Sequence, residues 1–395
     1  MSKRLGQYFT TNLSLKEKVF EYIFNKPEII LEPSFGQGDL VKYTYDKFHK
    51  NNDIKPSYEI FEIDDTIKLL DGLPLSDGTI TCKYCDFLTQ KIDKKYKTII
   101  GNPPYVKTKT CNLYIDFIDK CMMLLESLGE LIFIIPSDFF KLTMSRKLLI
   151  KLLEQGSFTH IYHPNDEKLF DNASIDVLIF RYVKDNKLKK QVIFDNSINI
   201  RNLHITNSDG LVTFTTEKQE NMKKLEDMYQ IYVGIVSGKD DIYKNDELGN
   251  ISVLTGKDKI SKFIYIDKCP SGNTEIDDYL LSNKDVLIKR RIRKFNNKNW
   301  FEWGAPRNIT KMTPTDDIPC IYVSNITRKK VIAFKDKVQY FGGSLIMLKP
   351  KSNITDSEID KTIDYLNSQQ FRQIFTYSGR FKIGHRQLSK SFINI

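Results

Sequence analysis

From Ile29 to Phe194 the sequence alternates short apolar runs with longer amphipathic stretches. Helices that cross over between the strands of a largely parallel sheet produce this pattern. The runs Ile29-Ile-Leu31, Tyr58-Glu-Ile-Phe61, Thr98-Ile-Ile100, Leu131-Ile-Phe-Ile-Ile135, His160-Ile-Tyr162 and Ile175-Asp-Val-Leu-Ile-Phe180 are read as strands, with a further short one ahead of Cys85-Asp86. Between them, Tyr114 to Leu128 places Ile115, Ile118, Met122 and Leu125 at three- and four-residue steps and is read as a helix. Pro164 to Ala173, which joins the last two runs, is too polar and too short for a crossover helix, so an antiparallel hairpin is expected at one side of the sheet. The expected fold class is therefore α/β, a nucleotide-binding type of sheet with one reversed strand.

After about Asn207 the strand-helix rhythm stops. A helical segment is expected from Lys218 to Met228, followed by short strands and turns rich in Gly, Asn and Lys, which read as a second, mixed α+β domain. The division falls at residues 1–215 and 216–395, in keeping with about 150 residues per domain for a 395-residue chain. Six cysteines, unevenly spaced, do not form a disulfide framework and read as reduced thiols. The N-terminal stretch has no apolar core region and the longest apolar run, Leu131 to Pro136, is far below the roughly 20 residues of a membrane span. A cytoplasmic protein without a membrane partner is expected. The surplus of ten positive charges suits a polyanion without requiring one.

Leu31-Glu-Pro-Ser-Phe-Gly-Gln-Gly-Asp39 stands where strand one turns into helix one. Glycines there let backbone amides approach a ligand. The acids Glu32 and Asp39 in the same turn would repel a pair of phosphates and favour a cofactor with a positive centre, such as S-adenosylmethionine; a plain tight turn explains the glycines equally. Glu62, in Phe61-Glu-Ile-Asp64, sits at the end of the second strand, where an acid accepts from ribose hydroxyls. Asp86 and Phe87 repeat the arrangement after the next strand, for an adenine amino group and ring. Either acid alone reads as well as a solvated strand end; their order along the chain strengthens both.

Asn102-Pro-Pro-Tyr105 follows the fourth strand, at the carboxyl edge where open α/β sheets place ligands. Two successive prolines fix the backbone and remove two amide donors, leaving carbonyls free to accept. An Asn oxygen beside such a carbonyl makes a pair of acceptors suited to an exocyclic amino group, and Tyr105 offers a ring for stacking. Cys82-Lys-Tyr-Cys85 lacks a second ligand pair at matching spacing, so no metal site is expected.

On these motifs the chain resembles the N6-adenine DNA methyltransferases of type II restriction-modification systems, in the gamma class whose cofactor and catalytic motifs precede a target recognition domain. The resemblance covers residues 4–194. It implies a Rossmann-like, mostly parallel seven-stranded sheet with one reversed strand in a catalytic domain 1–215, and a target recognition domain 216–395. It also implies S-adenosylmethionine as cofactor, held by Thr10 of Leu5-Gly-Gln-Tyr-Phe-Thr10 and by Glu32, Ser34, Phe35, Gly36, Glu62, Ile63, Asp86, Phe87, Asn102 and Pro104. Catalysis falls to Asn102, Pro103, Pro104, Tyr105 and Phe170, the last two stacking on a flipped base. Thr11 and Ser34-Phe35 depart from the common pattern. Double-stranded DNA is the implied partner, with room for a separately acting cognate restriction endonuclease, a monomeric enzyme and a bacterial or viral host.

Asn-Pro-Pro-Tyr also occurs in glutamine methyltransferases that act on release factors, so the long second half decides the substrate class. It carries Lys289-Arg-Arg-Ile-Arg-Lys294 near Trp300, and a second basic-aromatic stretch from Phe371 to Lys390. The expected DNA-binding residues are Arg290, Arg291, Arg293, Trp300, Arg380, Lys382, His385 and Arg386, with Lys289 as a further phosphate contact. Each arginine alone reads as well as a solvated charge. N6-adenine methylation of RNA, or a non-catalytic DNA-binding subunit, are the rival functions.

Overall fold

The computed structural model describes residues 8–395 apart from 52–53, 76–77, 108–111, 171–173, 186–189, 308, 312–313, 352–353 and 378. Leu5, Gly6, Gln7 and Cys111 thus lie outside the described residues. The chain divides into two compact units, Met1–Asn221 with Tyr377–Gly379, and Met222–Thr376 with Arg380–Ile395. No helix among the described residues is long and apolar enough to cross a membrane.

The first unit is built on a sheet whose strands are β1 Ile29–Glu32, β2 Ser57–Glu62, β3 Ile80–Tyr84, β4 Tyr96–Gly101, β5 Leu125–Pro136, β6 Gly156–Tyr162, β7 Val177–Lys184, β8 Gln191–Asp195, β9 Ile200–Ser208 and β10 Leu211–Thr215. They lie in the order β10-β9-β8-β6-β7-β5-β4-β1-β2-β3. Strands β3, β2, β1, β4 and β5 run parallel, and β7 is reversed against both β5 and β6. The mostly parallel α/β sheet with one reversed strand is as expected. Three things differ. Among the described residues the sheet has ten strands rather than seven, because β8 pairs parallel with β6 and carries β9 and β10 beyond it. The β6-β7 hairpin stands inside the sheet, not at its side. No α-helix joins β2 to β3 or β3 to β4 among the described residues; a short 3-10 turn, Phe87–Thr89, is all that the second connection has.

Helices α1 Leu13–Glu21, α2 Asp39–Asn51, α3 Leu113–Leu124 and α4 Arg146–Gln155 supply the layers. Because side chains alternate across a strand, β5 sends Leu131, Phe133 and Ile135 to one core with Ile118 and Cys121 of α3 and Leu149 and Leu152 of α4. It sends Ile132 and Ile134 to the other, with Leu15 and Val19 of α1 and Val41 of α2. Burial on both faces explains why β5 reads as an unbroken apolar run. Helix α3 stops at Leu124, short of the expected Leu128, because Leu125 already pairs with Tyr96 in the sheet.

The second unit centres on a four-stranded antiparallel sheet of Tyr229–Val233, Leu345–Pro350, Thr315–Ser324 and Ala333–Val338, in that order. Its cores gather Tyr243, Trp300, Trp303 and Tyr322 on one side, and Tyr229, Ile321, Leu348 and Phe371 on the other. The expected helix over Lys218–Met228 is only a turn, Leu225–Met228, preceded by a two-residue strand, Lys223–Lys224, that pairs with Phe392–Ile393.

Candidate active site

Chain order runs outward from β1 to β3 and then returns to β4 on the other side of β1, so the carboxyl ends of β1 and β4 flank the crevice where the order reverses. Open α/β sheets bind ligands at such a crevice. Both Glu32, the last residue of β1, and Asn102, the first after β4, stand there. A cleft of about 780 Å³, which includes space open to solvent, is lined by Ser34, Gly36, Glu62, Ile63, Asp86, Phe87, Asn102 and Pro104 among the expected residues. A small adjoining pocket adds Thr10, Glu32 and Phe35. Residues spread over some ninety positions thus meet at one place.

The turn after β1 needs its glycines. Gly36 has φ +59° and a Cβ there would come within 3.1 Å of the Phe9 ring; Gly38 has φ +94° and a Cβ would meet Leu73 at 2.7 Å. Both lie in the left-handed region that side chains disfavour. The Gly36 amide donates to Glu62 Oε2 at 2.9 Å, while the amides of Ile63 and Asp64 donate to Oε1 at 3.0 and 3.1 Å. Three amides fix this carboxylate at the cleft. Asp86 is held similarly, accepting from Leu88 N–H at 2.9 Å. The Phe87 ring lines the cleft but packs between Phe61 and Phe117, with centroids at 5.3 and 5.6 Å. Ile63, by contrast, is 57% exposed and offers an open apolar face.

Glu32 is the least satisfied acid. It is 2% exposed, and its Oε2 has no hydrogen-bond partner among the described residues. Burial, then the charges of Asp39 and Glu62, push its carboxyl well above the ordinary carboxylate range. Burial also raises Asp39, against a Lys16 ammonium at 3.8 Å. The buried Ser34 hydroxyl likewise lacks a partner among the described residues. Orphaned acceptors and crowded acids suit a cationic amino-acid head group and repel phosphate, so the residues present fit the cofactor expected from the motifs.

At Asn102 the amide is oriented by its own donors. Nδ2 donates to the Tyr8 carbonyl at 2.7 Å and to Thr10 Oγ1 at 3.1 Å, which turns Oδ1 away as a free acceptor site. That site is filled by the Tyr105 hydroxyl, which also approaches the Ile134 carbonyl at 3.1 Å. Burial raises the Tyr105 phenol well above its usual range, so it remains a neutral donor. Pro103 is buried and Pro104 lines the cleft.

The aromatic wall differs from expectation. Tyr105 and Phe170 face each other at 6.4 Å and 77°, edge to face, not as the parallel walls of a slot. The Tyr8 ring lies against both, stacked on Tyr105 at 5.3 Å and 27° and tilted on Phe170 at 5.8 Å. Ring quadrupoles favour such offset and edge contacts over a face-to-face sandwich. Tyr8 was missed by motif reading, although it belongs to the hexapeptide from which Thr10 was taken. Cleft residue Phe9, of the same hexapeptide, was also missed, as were Leu113 and Phe117, which nothing local marks.

In the second unit the expected DNA contacts separate into two groups. Arg290 is buried, with its guanidinium donating to the carbonyls of Leu287, Ser237, Trp300 and Glu302 at 2.6 to 2.9 Å. Trp300 is 3% exposed in the core. Neither presents a group to a ligand, which corrects the reading of both: the carbonyls that converge on Arg290 use its donors, and the indole is interior packing. Arg293 is exposed but bonded to Glu302 and to the Trp303 carbonyl at 2.6 and 2.9 Å. Lys289 and Arg291 are exposed. Arg380 and Lys382 share one face of a short strand, Arg380–Lys382, whose other face buries Phe381. His385 is exposed, its Nε2 at 3.1 Å from the Ile231 carbonyl, and Arg386 is half-buried.

A sheet of this order, with a cleft at the crossing of β1 and β4 and Asn-Pro-Pro-Tyr at its mouth, places the first unit among nucleotide-cofactor α/β domains. More particularly, residues 8–170 match the family model of the Eco57I restriction-modification methylase. The type II methyltransferase M.HincII of Haemophilus influenzae is 30% identical over 249 residues, covering 58% of this chain and 44% of that protein. The type II methyltransferase M.MjaIV of Methanocaldococcus jannaschii is 27% identical over 181 residues, 39% of this chain and 59% of that one. The match therefore spans less than half the length of M.HincII. Among solved structures, the type IIL restriction-modification enzyme MmeI in complex with DNA shares the fold over 95% of this chain and 63% of its own, with TM-score 0.58 and 11% identity. The resemblance read from the motifs is borne out as one to the methyltransferases of type II restriction-modification systems.

Proposed function

We propose that the chain is a site-specific DNA methyltransferase that transfers a methyl group from S-adenosylmethionine to N6 of an adenine flipped out of duplex DNA. The observation that carries the reading is the orientation of Asn102, whose amide nitrogen is spent on Tyr8 and Thr10 so that its oxygen is presented as an acceptor. The restriction-modification relatives support DNA as the substrate. When bound, the cofactor supplies an electrophilic methyl group on a sulfonium.

The chain's own residues then do the positioning. Asn102 Oδ1 and the Pro103 carbonyl accept the two N–H bonds of the adenine amino group, which draws its lone pair out of conjugation with the ring. For this the Tyr105 hydroxyl yields Oδ1 and keeps its second acceptor, the Ile134 carbonyl. Tyr105 stacks on the base, Phe170 packs against it edge-on, and Tyr8 moves from the Tyr105 face to admit it. The amino proton is acidic once the nitrogen is cationic, so no strong base is needed, and most of the rate comes from placement. Glu32 and Glu62 hold the cofactor's cationic head and ribose, Asp86 its adenine amino group. The second unit grips the duplex through Arg291, Arg380 and Lys382.

Incubating the purified chain with labelled S-adenosylmethionine and, in parallel, duplex DNA or structured RNA, followed by nucleoside analysis, tests the reading, with N6-methyladenine in the DNA as the expected result. N6-methyladenosine in RNA alone would show an RNA enzyme instead; no transfer to either would leave a binding subunit.

A further inference from the structure

The loop of residues 163–176 between β6 and β7 delivers Phe170 to the ring cluster, and its two ends are tied to each other. At its neck, His163 Nε2 donates to Asp176 Oδ2 at 3.0 Å and the Ser137 hydroxyl donates to the same oxygen. Backbone bonds anchor both sides: His163 N–H to the Asp195 carbonyl at 2.8 Å, and Ser137 N–H to the Asp176 carbonyl at 3.0 Å. One rung further along, Ile175 N–H donates to the Glu167 carbonyl at 3.1 Å, a second tie between the segments that leave β6 and enter β7. Ser137 follows β5, His163 follows β6 and Asp176 precedes β7, so the three share the carboxyl edge with Asn102.

Asp176 Oδ1 is buried and has no hydrogen-bond partner among the described residues. A carboxylate oxygen buried without a hydrogen-bond donor costs stability, offset in part by the attraction of the Lys141 ammonium, while Oδ2 ties the ends of β5, β6 and β7 together. A nucleophilic triad is excluded by connectivity, because serine and histidine both bond to the carboxylate and the histidine takes no proton from the serine. We propose that His163, Asp176 and Ser137 form a positioning unit that anchors the segment carrying Phe170 beside Tyr105, so that the Phe170 ring packs against an extrahelical adenine. The proposal rests on the adenine reading above.

The test uses the full chain and a duplex carrying 2-aminopurine at the adenine that methylation mapping identifies. His163→Ala is compared with His163→Gln, which restores an amide donor near the place of Nε2, and with Phe170→Ala. His163→Ala is expected to lower the methyl-transfer kcat roughly tenfold and to change the 2-aminopurine emission in the direction of Phe170→Ala. Cofactor affinity and melting temperature stay within about twofold and a few degrees of wild type, and His163→Gln recovers both lost signals. Wild-type kcat and emission in His163→Ala would overturn the proposal. So would a loss shared by cofactor binding and unrepaired by His163→Gln, which marks a general structural role. A wild-type chain that methylates no adenine overturns the underlying reading first, and is recognised before any variant is compared.

Discussion

The Tyr105 hydroxyl donates to Oδ1 of Asn102 at 2.5 Å, occupying the acceptor that the proposed reaction needs. Since this hydroxyl competes with the substrate, Tyr105→Phe should keep the ring and lose only the competitor. Its kcat is expected within about threefold of wild type, whereas Tyr105→Ala, which removes the stacking face as well, falls by about 1–3 kcal/mol of base binding, roughly fivefold to 150-fold. Steady-state kinetics on the same duplex distinguish the two; equal losses would place the hydroxyl, not the ring, in the mechanism.

The role proposed for Glu32 would couple folding to cofactor binding. With its carboxyl raised well above the usual range, the folded chain holds a proton that the unfolded chain releases. Stability therefore falls as pH climbs from the ordinary carboxylate range through the raised value. Glu32→Gln removes that loss, so the variant without cofactor should melt higher than wild type on the alkaline side, yet bind S-adenosylmethionine ~10–100-fold more weakly. Thermal melts across pH, with calorimetric titration, check both signs. Wild-type binding, proton uptake on binding, or a variant that melts lower would contradict the assignment.

Arg181 and Glu130 are a buried pair in neighbouring strands, the guanidinium at 2.7 Å and the carboxylate also accepting from Thr98 and from the Phe24 and Asn25 amides. Glu130 is 0% exposed. Arg181→Ala would strand its charge, at a cost of about 3–5 kcal/mol. A urea unfolding curve measures this; a shift under ~1 kcal/mol would show the pair to be dispensable.

This pair also shows where sequence reading stops. The acid at 130 and the base at 181 meet only because β7 runs back against β5, a pairing no local pattern announces. Asn102 to Tyr105 and Glu32 to Gly38 were legible because their chemistry is contiguous in the chain and anchored to strand ends. Arg290 was misread for the opposite reason: the run Lys289 to Lys294 looks solvated, while the carbonyls of Ser237, Trp300 and Glu302 that enclose one of its members come from distant segments. Strands β8 and β9 carry exposed and half-exposed residues and lack the apolar run that marked the inner strands.

That division makes a prediction for the second unit. Arg290→Ala should lower the melting temperature by several degrees, since four buried carbonyl bonds are lost. Arg380→Ala and Lys382→Ala should leave it unchanged and each weaken DNA binding while reducing the salt dependence of log affinity by about one unit. Affinities measured at several salt concentrations decide; unaltered slopes would remove these residues from the interface.

The central claim is that Asn102 presents its oxygen to an amino nitrogen at the mouth of the cleft. Asn102→Ala, assayed with labelled S-adenosylmethionine on the duplex that wild type modifies, measures it most directly. The account predicts cofactor and DNA affinities within a few-fold of wild type and a methyl-transfer rate lower by at least about a thousandfold; near wild-type turnover in this variant would contradict it.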